Sequence, residues 1–253
     1  MRAAERYDMI EKIVNEAGSV SVATLKKHFP DISDMTLRRD LEALNKAERV
    51  IRIHGGARSI QSTIGAEDSY LTRAAVRTES KRQIARRAAE LLRENTAVFI
   101  DSGTTITEFC RQVPDGRYLI YTSGLYCALE LRRLQLPEVY LLGGQLSRTS
   151  LAVNGADAIS CIENVHFMQA FLGSSGYDEA CGFTCENAED ARLKREVIRR
   201  SEHTVILMDS SKVGRVSTYT FAWPADVDVV IGDGETDAET VRSFQQAGIE
   251  FLK

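Results

Sequence analysis

Five short loops in the second half of the chain combine glycine with hydroxyl or charged side chains, and each directly follows an apolar segment. They are Asp101–Thr105, Thr122–Gly124, Gly143–Gly144, Gly173–Gly176 and Asp209–Lys212. A helix that begins directly after such a loop presents unpaired backbone N–H groups and positive partial charge to an anion. Lys194 and Lys212 add the formal charges that a phosphate ester prefers. The pattern therefore predicts a binding site for a small polar ligand.

Other kinds of site fit the sequence less well. Turns between strands and helices are often small and polar for geometric reasons alone, but five in succession favour a ligand. The sequence has neither a G-x-G-x-x-G dinucleotide fingerprint after a strand nor the G-x-x-x-x-G-K-[ST] motif of a P-loop. Cys181 and Cys185 have the wrong spacing for a zinc knuckle, and no second pair completes four ligands. We therefore assign no metal ion, no cofactor and no catalytic residue, although sequence alone does not reveal a triad assembled in space.

The segments that carry these loops alternate between strands and helices from residue 97 onward. Strands are predicted at Ala97–Ile100, Tyr118–Tyr121, Val139–Leu142, Met168–Leu172, Thr204–Met208 and Val227–Ile231, and helices most clearly at 105–112, 124–134 and 187–201. Such alternation is typical of an α/β fold whose mainly parallel sheet is covered by helices on both faces. Ligands of open sheets bind beyond the carboxyl ends of the strands, where all five loops are expected.

A second group of charged residues lies on short helices near the amino terminus. Helices are predicted at 3–16, 22–29 and 34–46, followed by a strand at 50–53 and a Gly55-Gly56 turn. This order is the outline of a winged helix-turn-helix. Ser33 is the natural cap of the third helix, and Thr36 lies in its first turn. Arg38 and Arg39 lie off the apolar stripe, where arginines of a recognition helix bind guanine or phosphate.

Basic residues around the glycine turn extend this predicted surface. Arg52, His54 and Arg58 would bring positive charge to a wing tip near the DNA backbone or minor groove. The sequence is also compatible with an ordinary three-helix bundle that has a charged outer face. Two adjacent arginines beside a basic turn favour the DNA-binding interpretation.

Composition sets the limits of these interpretations. The 253 residues are 43% hydrophobic and 27% charged, which is typical of a globular protein of one or two domains. Residues 1–58 carry a net charge of about +2 and the remainder about −6, which favours a nucleic-acid-binding front end on an acidic body. Five cysteines and the absence of a signal peptide or membrane span predict a reduced, cytoplasmic protein. We divide the chain into a DNA-binding domain (1–58), a linker (59–78) and an effector-sensing domain (79–253).

The stretch Ser33–Leu41 together with Arg52–Ala57 resembles the signature of the DeoR family of bacterial transcriptional regulators. The loops of the second half, with Lys194 between the fourth and the fifth, also follow that family's order, so the resemblance covers about residues 3 to 232. It implies an N-terminal winged helix-turn-helix that binds operator DNA. It further implies a C-terminal sensor domain similar to ribose-5-phosphate isomerase and CoA-transferase folds. Members of the family typically repress genes of sugar, polyol or nucleoside catabolism and respond to a phosphorylated intermediate.

Carried over by position, the resemblance assigns roles to individual residues. Together with the wing residue Arg52, the DNA contacts are Ser33, Thr36, Arg38, Arg39, His54 and Gly55. The effector contacts are Asp101, Gly103, Thr104, Thr105, Thr122, Ser123, Gly143, Gly144, Lys194 and Lys212. Ser123 departs from the asparagine that is usual at this position in the family.

We expect a homodimer or homotetramer whose paired reading heads bind operator half-sites. A phosphorylated sugar or polyol would favour one arrangement of those heads. One rival is a sugar-phosphate isomerase or CoA-transferase-like enzyme with a helical appendage, in which Asp101, Asp178 or Glu186 is the base. Another is a DNA-binding protein whose body only oligomerises. Because the amino-terminal motif has no use in catalysis, we expect a regulator and not an enzyme.

Overall fold

The computed structural model describes residues 3–47, 49–53, 55–59 and 70–253. Its amino-terminal part consists of α1 (Ala3–Ala17), β1 (Ser19–Ser21), α2 (Val22–His28), α3 (Asp34–Lys46), β2 (Val50–Ile53) and β3 (Gly56–Ser59). The strands β2 and β3 form an antiparallel hairpin, and β1 pairs with the outer side of β3. The three predicted helices, the predicted strand and the winged helix-turn-helix architecture are confirmed. The three-residue strand β1 is too short to give a periodic pattern in the sequence.

Apolar side chains at helical spacing hold this small domain together. Leu37, Leu41 and Leu44 form the buried stripe of α3, and they pack against Ile10 of α1 and Leu25 of α2. All five are fully buried, so each contributes about 1.5–3 kcal/mol relative to an exposed side chain. The opposite face of α3 is left free for polar and charged residues.

The remaining chain forms a larger α/β unit. Its strands are β4 (Thr96–Ile100), β5 (Tyr118–Thr122), β6 (Glu138–Leu141), β7 (Gln145–Leu146), β8 (Val153–Asn154), β9 (Phe167–Gly173), β10 (Gly176–Asp178), β11 (Gly182–Cys185), β12 (Ser201–Leu207), β13 (Tyr219–Ala222), β14 (Val229–Ile231) and β15 (Glu250–Leu252). Its helices are α4 (Tyr70–Ala75), α5 (Thr78–Leu91), α6 (Thr104–Gln112), α7 (Leu125–Leu131), α8 (Ala156–Ser160), α9 (Ala188–Arg199) and α10 (Ala238–Gln246), with 3-10 turns at Ser210–Lys212 and Pro224–Asp226.

Seven strands form one parallel sheet in the order β15-β14-β12-β9-β4-β5-β6. Neighbouring residues of β4 face opposite sides of it, because Phe99 packs with residues of α9 and α10 whereas Val98 and Ile100 pack with residues of α5 and α6. The predicted parallel sheet with helices on both faces is therefore confirmed. Chain order runs outward from β4 to β6 in one direction and from β9 to β15 in the other, so the topology reverses between β4 and β9.

Part of the predicted linker is folded onto the α/β unit. The Tyr70 ring of α4 stacks on Tyr126 with ring centroids 4.5 Å apart, and its hydroxyl donates to Thr107 Oγ1 at 2.8 Å. Burial raises the pKa of Tyr70 to about 12. Arg77, in a left-handed conformation with φ 51°, separates α4 from α5. Residues 60–69 of the predicted linker lie outside the described part of the chain.

Candidate functional site

Side-chain contacts fix the orientation of α3 within the amino-terminal domain. Arg6 of α1 donates to both carboxylate oxygens of Asp40 on α3, at 2.6 and 3.0 Å. Lys26 of α2 donates to the carbonyls of Pro30 and Ile32, at 3.0 and 2.7 Å, and so braces the turn between α2 and α3. Bidentate charged pairs combine strength with directional specificity. The helix that presents the predicted base-reading residues is therefore held from two sides.

The start and the outer face of α3 have the expected form. Ser33 is the N-cap, and its Oγ accepts from the Thr36 backbone N–H at 3.2 Å. Arg38 and Arg39 are exposed beside Met35, whose side chain is 70% exposed. Neither guanidinium has an ion-pair or hydrogen-bond partner among the residues that the structure describes. Unpaired arginines on the outer face of a capped helix are suited to contact DNA.

The wing is shaped by its glycines. Gly55 has φ +76°, and a Cβ at Gly56 would lie 2.0 Å from a backbone oxygen of β1. The Arg52 amide donates to Asn45 Oδ1 on α3 at 2.7 Å, which ties the hairpin to the recognition helix. Arg58 does not lie free at the wing tip as predicted, because its Nη1 donates to Thr218 Oγ1 of the α/β unit at 2.6 Å. His54, also predicted in the wing, lies outside the described residues.

In the α/β unit, the fully buried Asp101 joins three neighbouring strand ends. Its Oδ2 accepts from the Gly173 N–H after β9 at 2.9 Å, and its Oδ1 accepts from Ser123 Oγ after β5 at 3.4 Å. The Thr122 hydroxyl donates to the Asp101 carbonyl at 3.4 Å. The predicted residues Asp101, Thr122 and Ser123 therefore come together as a buried floor at the carboxyl ends of the strands, and we call this candidate ligand site the crevice.

Lys194 of α9 has its charge matched inside this floor. Its Nζ lies 2.8 Å from Asp101 Oδ2 and 3.4 Å from Asp190 Oδ2, and it donates to the Gly173 carbonyl at 2.7 Å. Burial lowers the pKa of Lys194, but the two carboxylates raise it by more, so the net direction is upward. Burial also raises the pKa of Asp190, against the opposing effect of Lys194. Lys194 therefore positions Asp101 and retains little free charge for a ligand.

Directly after Asp101 the chain turns into α6. Gly103, with φ +106°, occupies the N-cap, and no side chain accepts from the first backbone N–H groups of the helix. Thr104 and Thr105 form the half-buried first turn. The N-terminus of α6 thus offers backbone donors and positive partial charge at the centre of the crevice.

The row of predicted loops is wider than one small ligand. Lys212 follows β12 and Gly143-Gly144 follow β6, and the five strand ends from β12 to β6, at about 4.8 Å spacing, span roughly 19 Å. A monosaccharide phosphate contacts only part of such a row. Ligands of open α/β sheets bind where the topology reverses, which here is between Asp101 and Gly173. Gly143 and Gly144 are exposed at the far margin, two strands from β4.

Cations are crowded on the other margin. Lys81 of α5 donates to the carbonyls of Arg73 and Val76 near the end of α4. Burial, together with the positive charges of Lys212 and Arg73, lowers the pKa of Lys81 to about 8 against the opposing effect of Asp209. Burial also lowers the pKa of Lys212, again against Asp209. Burial and mutual repulsion disfavour the charged forms of these two ammonium groups. A bound anion would stabilise their positive charges.

Two buried polar atoms belong to residues that were not predicted from the sequence as site residues. Among the described residues, Asn154 Nδ2 and Asp190 Oδ1 have no hydrogen-bond partner. The first is a donor and the second an acceptor, and the two elements that carry them, β8 and α9, are packed together. A hydroxyl group can accept from one such atom and donate to another. The two-residue strand β8 gives no periodic signal in the sequence, so Asn154 was not identifiable as a site residue. Lys81 resembles an ordinary solvated residue of an amphipathic helix.

The winged helix-turn-helix presents unpaired arginines, and it is joined to an α/β unit whose strand ends offer donors to an anion. This combination is that of a DNA-binding transcriptional regulator with a sensor domain. Comparison with known families agrees. The model of the DeoR-like helix-turn-helix domain matches residues 6–63, and that of the DeoR C terminal sensor domain matches residues 76–234. The HTH-type transcriptional regulator GlpR of Haloferax volcanii is 37% identical over 250 residues, which cover 98% of this chain and 97% of that one. The chain belongs to the DeoR family.

More distant matches include a named repressor and an enzyme. The lactose phosphotransferase system repressor of Streptococcus mutans is 28% identical over 94% of each chain. Among solved structures, ribose 5-phosphate isomerase A of Methanocaldococcus jannaschii is similar over 54% of each chain, with a TM-score of 0.40 and 13% identity. That likeness is too distant to carry an argument about activity. No helix within the described ranges is long and apolar enough to cross a membrane.

Proposed function

We propose that this regulator represses a carbohydrate-catabolic operon and that a phosphorylated sugar or polyol bound between the ends of β4 and β9 modulates its operator binding. The observation that carries the proposal is the uncapped N-terminus of α6 in a crevice bordered by the crowded cations Lys81 and Lys212. Relatives named for sugar-related systems, such as the lactose phosphotransferase system repressors, support the class of effector.

Each part of such an effector has a counterpart in the crevice. The phosphate would accept from the first N–H groups of α6, which no described side chain caps, and from Lys212, whose ammonium forms no ion pair within the described residues. The hydroxyls would accept from Asn154 Nδ2 and donate to Asp190 Oδ1, which lack partners within the described chain. Thr105 supplies a further hydroxyl donor, whereas the Ser123 hydroxyl, which donates to Asp101, could only accept from the ligand. Lys194 and Asp101 would hold the floor rigid, and Gly143-Gly144 would contact only the far end of a longer ligand.

On the DNA side, we propose that two copies act together. One recognition helix reads one half-site, and a second copy related by twofold symmetry reads the other, in a homodimer or homotetramer. Ser33 and Thr36 at the start of α3 would contact phosphate, whereas Arg38 and Arg39 would reach bases or phosphates. Arg52, His54 and Gly55 would bring the wing to the adjacent backbone.

The enzymatic alternative is disfavoured by the state of Asp101. Both of its carboxylate oxygens accept hydrogen bonds from within the chain, and one is ion-paired with Lys194. A general base must reach the proton that it abstracts from substrate. Asp101 is better placed to hold three strand ends together than to act on a ligand.

A thermal-shift screen tests the proposal. The probes are glycerol 3-phosphate, fructose 1-phosphate, glucose 6-phosphate and ribose 5-phosphate, each beside its unphosphorylated parent. A ligand at 100 times its Kd stabilises the native state by about 2.7 kcal/mol, which raises the melting temperature measurably. We expect at least one phosphorylated probe to do so and to alter binding to an operator selected from a random DNA pool. Stabilisation by parents and phosphates alike, or by none of them, would contradict the proposal.

A further inference from the structure

A short segment connects the crevice to the DNA-binding domain. After β12 the chain passes Asp209, forms the 3-10 turn Ser210–Lys212 and then runs to Thr218 before β13 begins. Lys212 lies in the turn after β12, at the strand end that borders the proposed effector site, and Val216, four positions further on, contacts the DNA-binding domain. We call residues 213–218 the bridging segment. Four residues span at most roughly 13 Å, so a shift at Lys212 has little slack in which to dissipate.

The bridging segment is hydrogen-bonded to two of the three strands of the DNA-binding domain. The Val216 N–H donates to Ser19 Oγ of β1 at 2.9 Å, and the same hydroxyl donates back to the Val216 carbonyl. Arg58 of β3 donates to Thr218 Oγ1 at 2.6 Å. Ser19 is only 5% exposed, so its two bonds to Val216 are formed largely away from water, whereas the bond between Arg58 and Thr218 is exposed. The two Ser19 bonds are therefore stronger and more sensitive to geometry than exposed surface contacts.

The same segment touches a helix of the reading head. Gly214 has φ +72°, and a Cβ built on it would lie 2.5 Å from Thr24 Oγ1 on α2. Since β1 pairs with β3, and β3 forms the wing hairpin with β2, the segment contacts both α2 and the sheet that contains the wing. The segment is also hydrogen-bonded to the α/β unit. The Gly214 N–H donates to the Tyr177 carbonyl at 2.8 Å, and the Ser217 N–H donates to Thr184 Oγ1 at 2.9 Å.

We propose that the bridging segment is the element that transmits effector occupancy at Lys212 to the wing and α2 of the DNA-binding domain. The proposal rests on the effector site proposed above. An anion that recruits the Lys212 ammonium rearranges the 3-10 turn, and the Ser19 and Arg58 contacts pass that change to β1 and β3. By linkage, operator DNA alters phosphosugar affinity by the same factor as the phosphosugar alters operator affinity. The segment is the physical path of that coupling.

The test compares coupling in variants of the full chain. Operator affinity is measured by fluorescence anisotropy with and without the tightest-binding phosphorylated probe of the panel named above, and probe affinity by calorimetry. In the wild type we expect operator affinity to change by a factor of about 5–150. Ser19→Ala removes both bonds to Val216. In this variant we expect the probe to change operator affinity by no more than about twofold, while the affinity for the probe itself stays within about threefold of the wild type.

A steric pair gives an independent readout. Gly214→Ala pushes a methyl group against Thr24, whereas Gly248→Ala, with φ +85° and nothing within 4 Å of the new Cβ, carries the same backbone penalty without the contact. We expect Gly214→Ala to change the coupling factor at least threefold, Gly248→Ala to leave it unchanged, and Thr24→Ala added to Gly214→Ala to restore it.

The outcomes separate the two proposals. If no probe binds the wild type, the effector site is wrong and this inference falls with it. If probes bind and shift operator affinity equally in the wild type, Ser19→Ala and Gly214→Ala, the effector site stands and the bridging segment is not the path. Equal effects of Gly214→Ala and Gly248→Ala would likewise overturn the inference, because backbone strain alone would then account for them. A Ser19→Ala protein that fails to fold leaves the glycine pair to decide.

Discussion

Replacing Lys194 with methionine tests whether its charge is structural. The ammonium lies 2.8 Å from Asp101 Oδ2 and 3.4 Å from Asp190 Oδ2, and its side chain is 6% exposed. At an effective dielectric constant of 20, the two attractions are each of the order of 5–6 kcal/mol before desolvation is subtracted. Loss of one partner from a buried ion pair typically costs about 3–5 kcal/mol, because the remaining charge stays buried. We expect Lys194→Met to lower the free energy of unfolding by that amount.

The measurement is urea unfolding followed by fluorescence and circular dichroism. Lys46→Met is the matched control, since Lys46 forms only an exposed pair with Glu42 at 3.4 Å, and we expect it to cost less than about 1 kcal/mol. Adding Asp101→Asn to Lys194→Met removes one of the stranded charges. The double variant should therefore recover about 1–3 kcal/mol relative to Lys194→Met alone.

The pH dependence gives a further check on sign. Burial raises the pKa of Asp190, and without the opposing charge of Lys194 this carboxyl binds its proton still more tightly in the folded than in the unfolded state, so lowering the pH towards 5 should stabilise the variant relative to the wild type. The deficit of Lys194→Met should therefore shrink as the pH falls. A deficit no larger than that of Lys46→Met, or one that grows on acidification, would refute the assignment of Lys194 as the counter-charge of Asp101.

Three other predictions concern binding. Phosphosugar affinity should fall as the pH rises through about 8, because Lys81, whose pKa is lowered to about 8, then loses its positive charge while the phosphate stays dianionic. Calorimetry at pH 7 to 9.5 checks this. Lys81→Met should bind the phosphosugar more weakly, and its affinity should depend less on pH. Arg38→Ala and Arg39→Ala should each weaken operator binding about 5- to 150-fold and reduce the salt slope by about one, with exposed Lys46→Ala as the comparison. Asn154→Ala should weaken phosphosugar binding without lowering the melting temperature, because its Nδ2 bonds to nothing within the described chain; an unchanged affinity would exclude it from the site.

The amino-terminal domain could be predicted almost completely from the sequence. Its signals are local: Ser33 before an amphipathic stretch, leucines at helical spacing and a Gly-Gly turn after a short strand each have a direct physical meaning. The role of Arg58 could not be predicted in this way. Its partner Thr218 is 160 positions away in the chain, and only the relative placement of the two domains decides whether an arginine on a wing strand faces DNA or protein.

The sensor domain was predictable in its type and less so in its site. Alternating apolar strands and helices identified the parallel sheet, and the loops at their ends identified the crevice. Strand order, however, depends on crossover connections that leave no local trace, so the sequence could not show that Asp101 and Gly173 flank the reversal while Gly144 lies at the margin. Likewise, a lysine in a sequence carries no sign of whether a carboxylate will neutralise it, and Lys194 and Lys212 differ mainly in that respect.

That difference bears on how a small effector could control DNA binding. A ligand shifts an equilibrium between two arrangements only by its difference in affinity for them, and a hundredfold change in operator affinity requires about 2.8 kcal/mol. A hydrogen bond to a charged group contributes about 1.5–3 kcal/mol. One contact to Lys212 that forms in a single arrangement is therefore nearly sufficient, whereas contacts to the rigid floor of Asp101 and Lys194 form equally in both and contribute only to affinity. Contacts that form in both arrangements therefore set how tightly the effector binds, and the contact to Lys212 sets what the binding does.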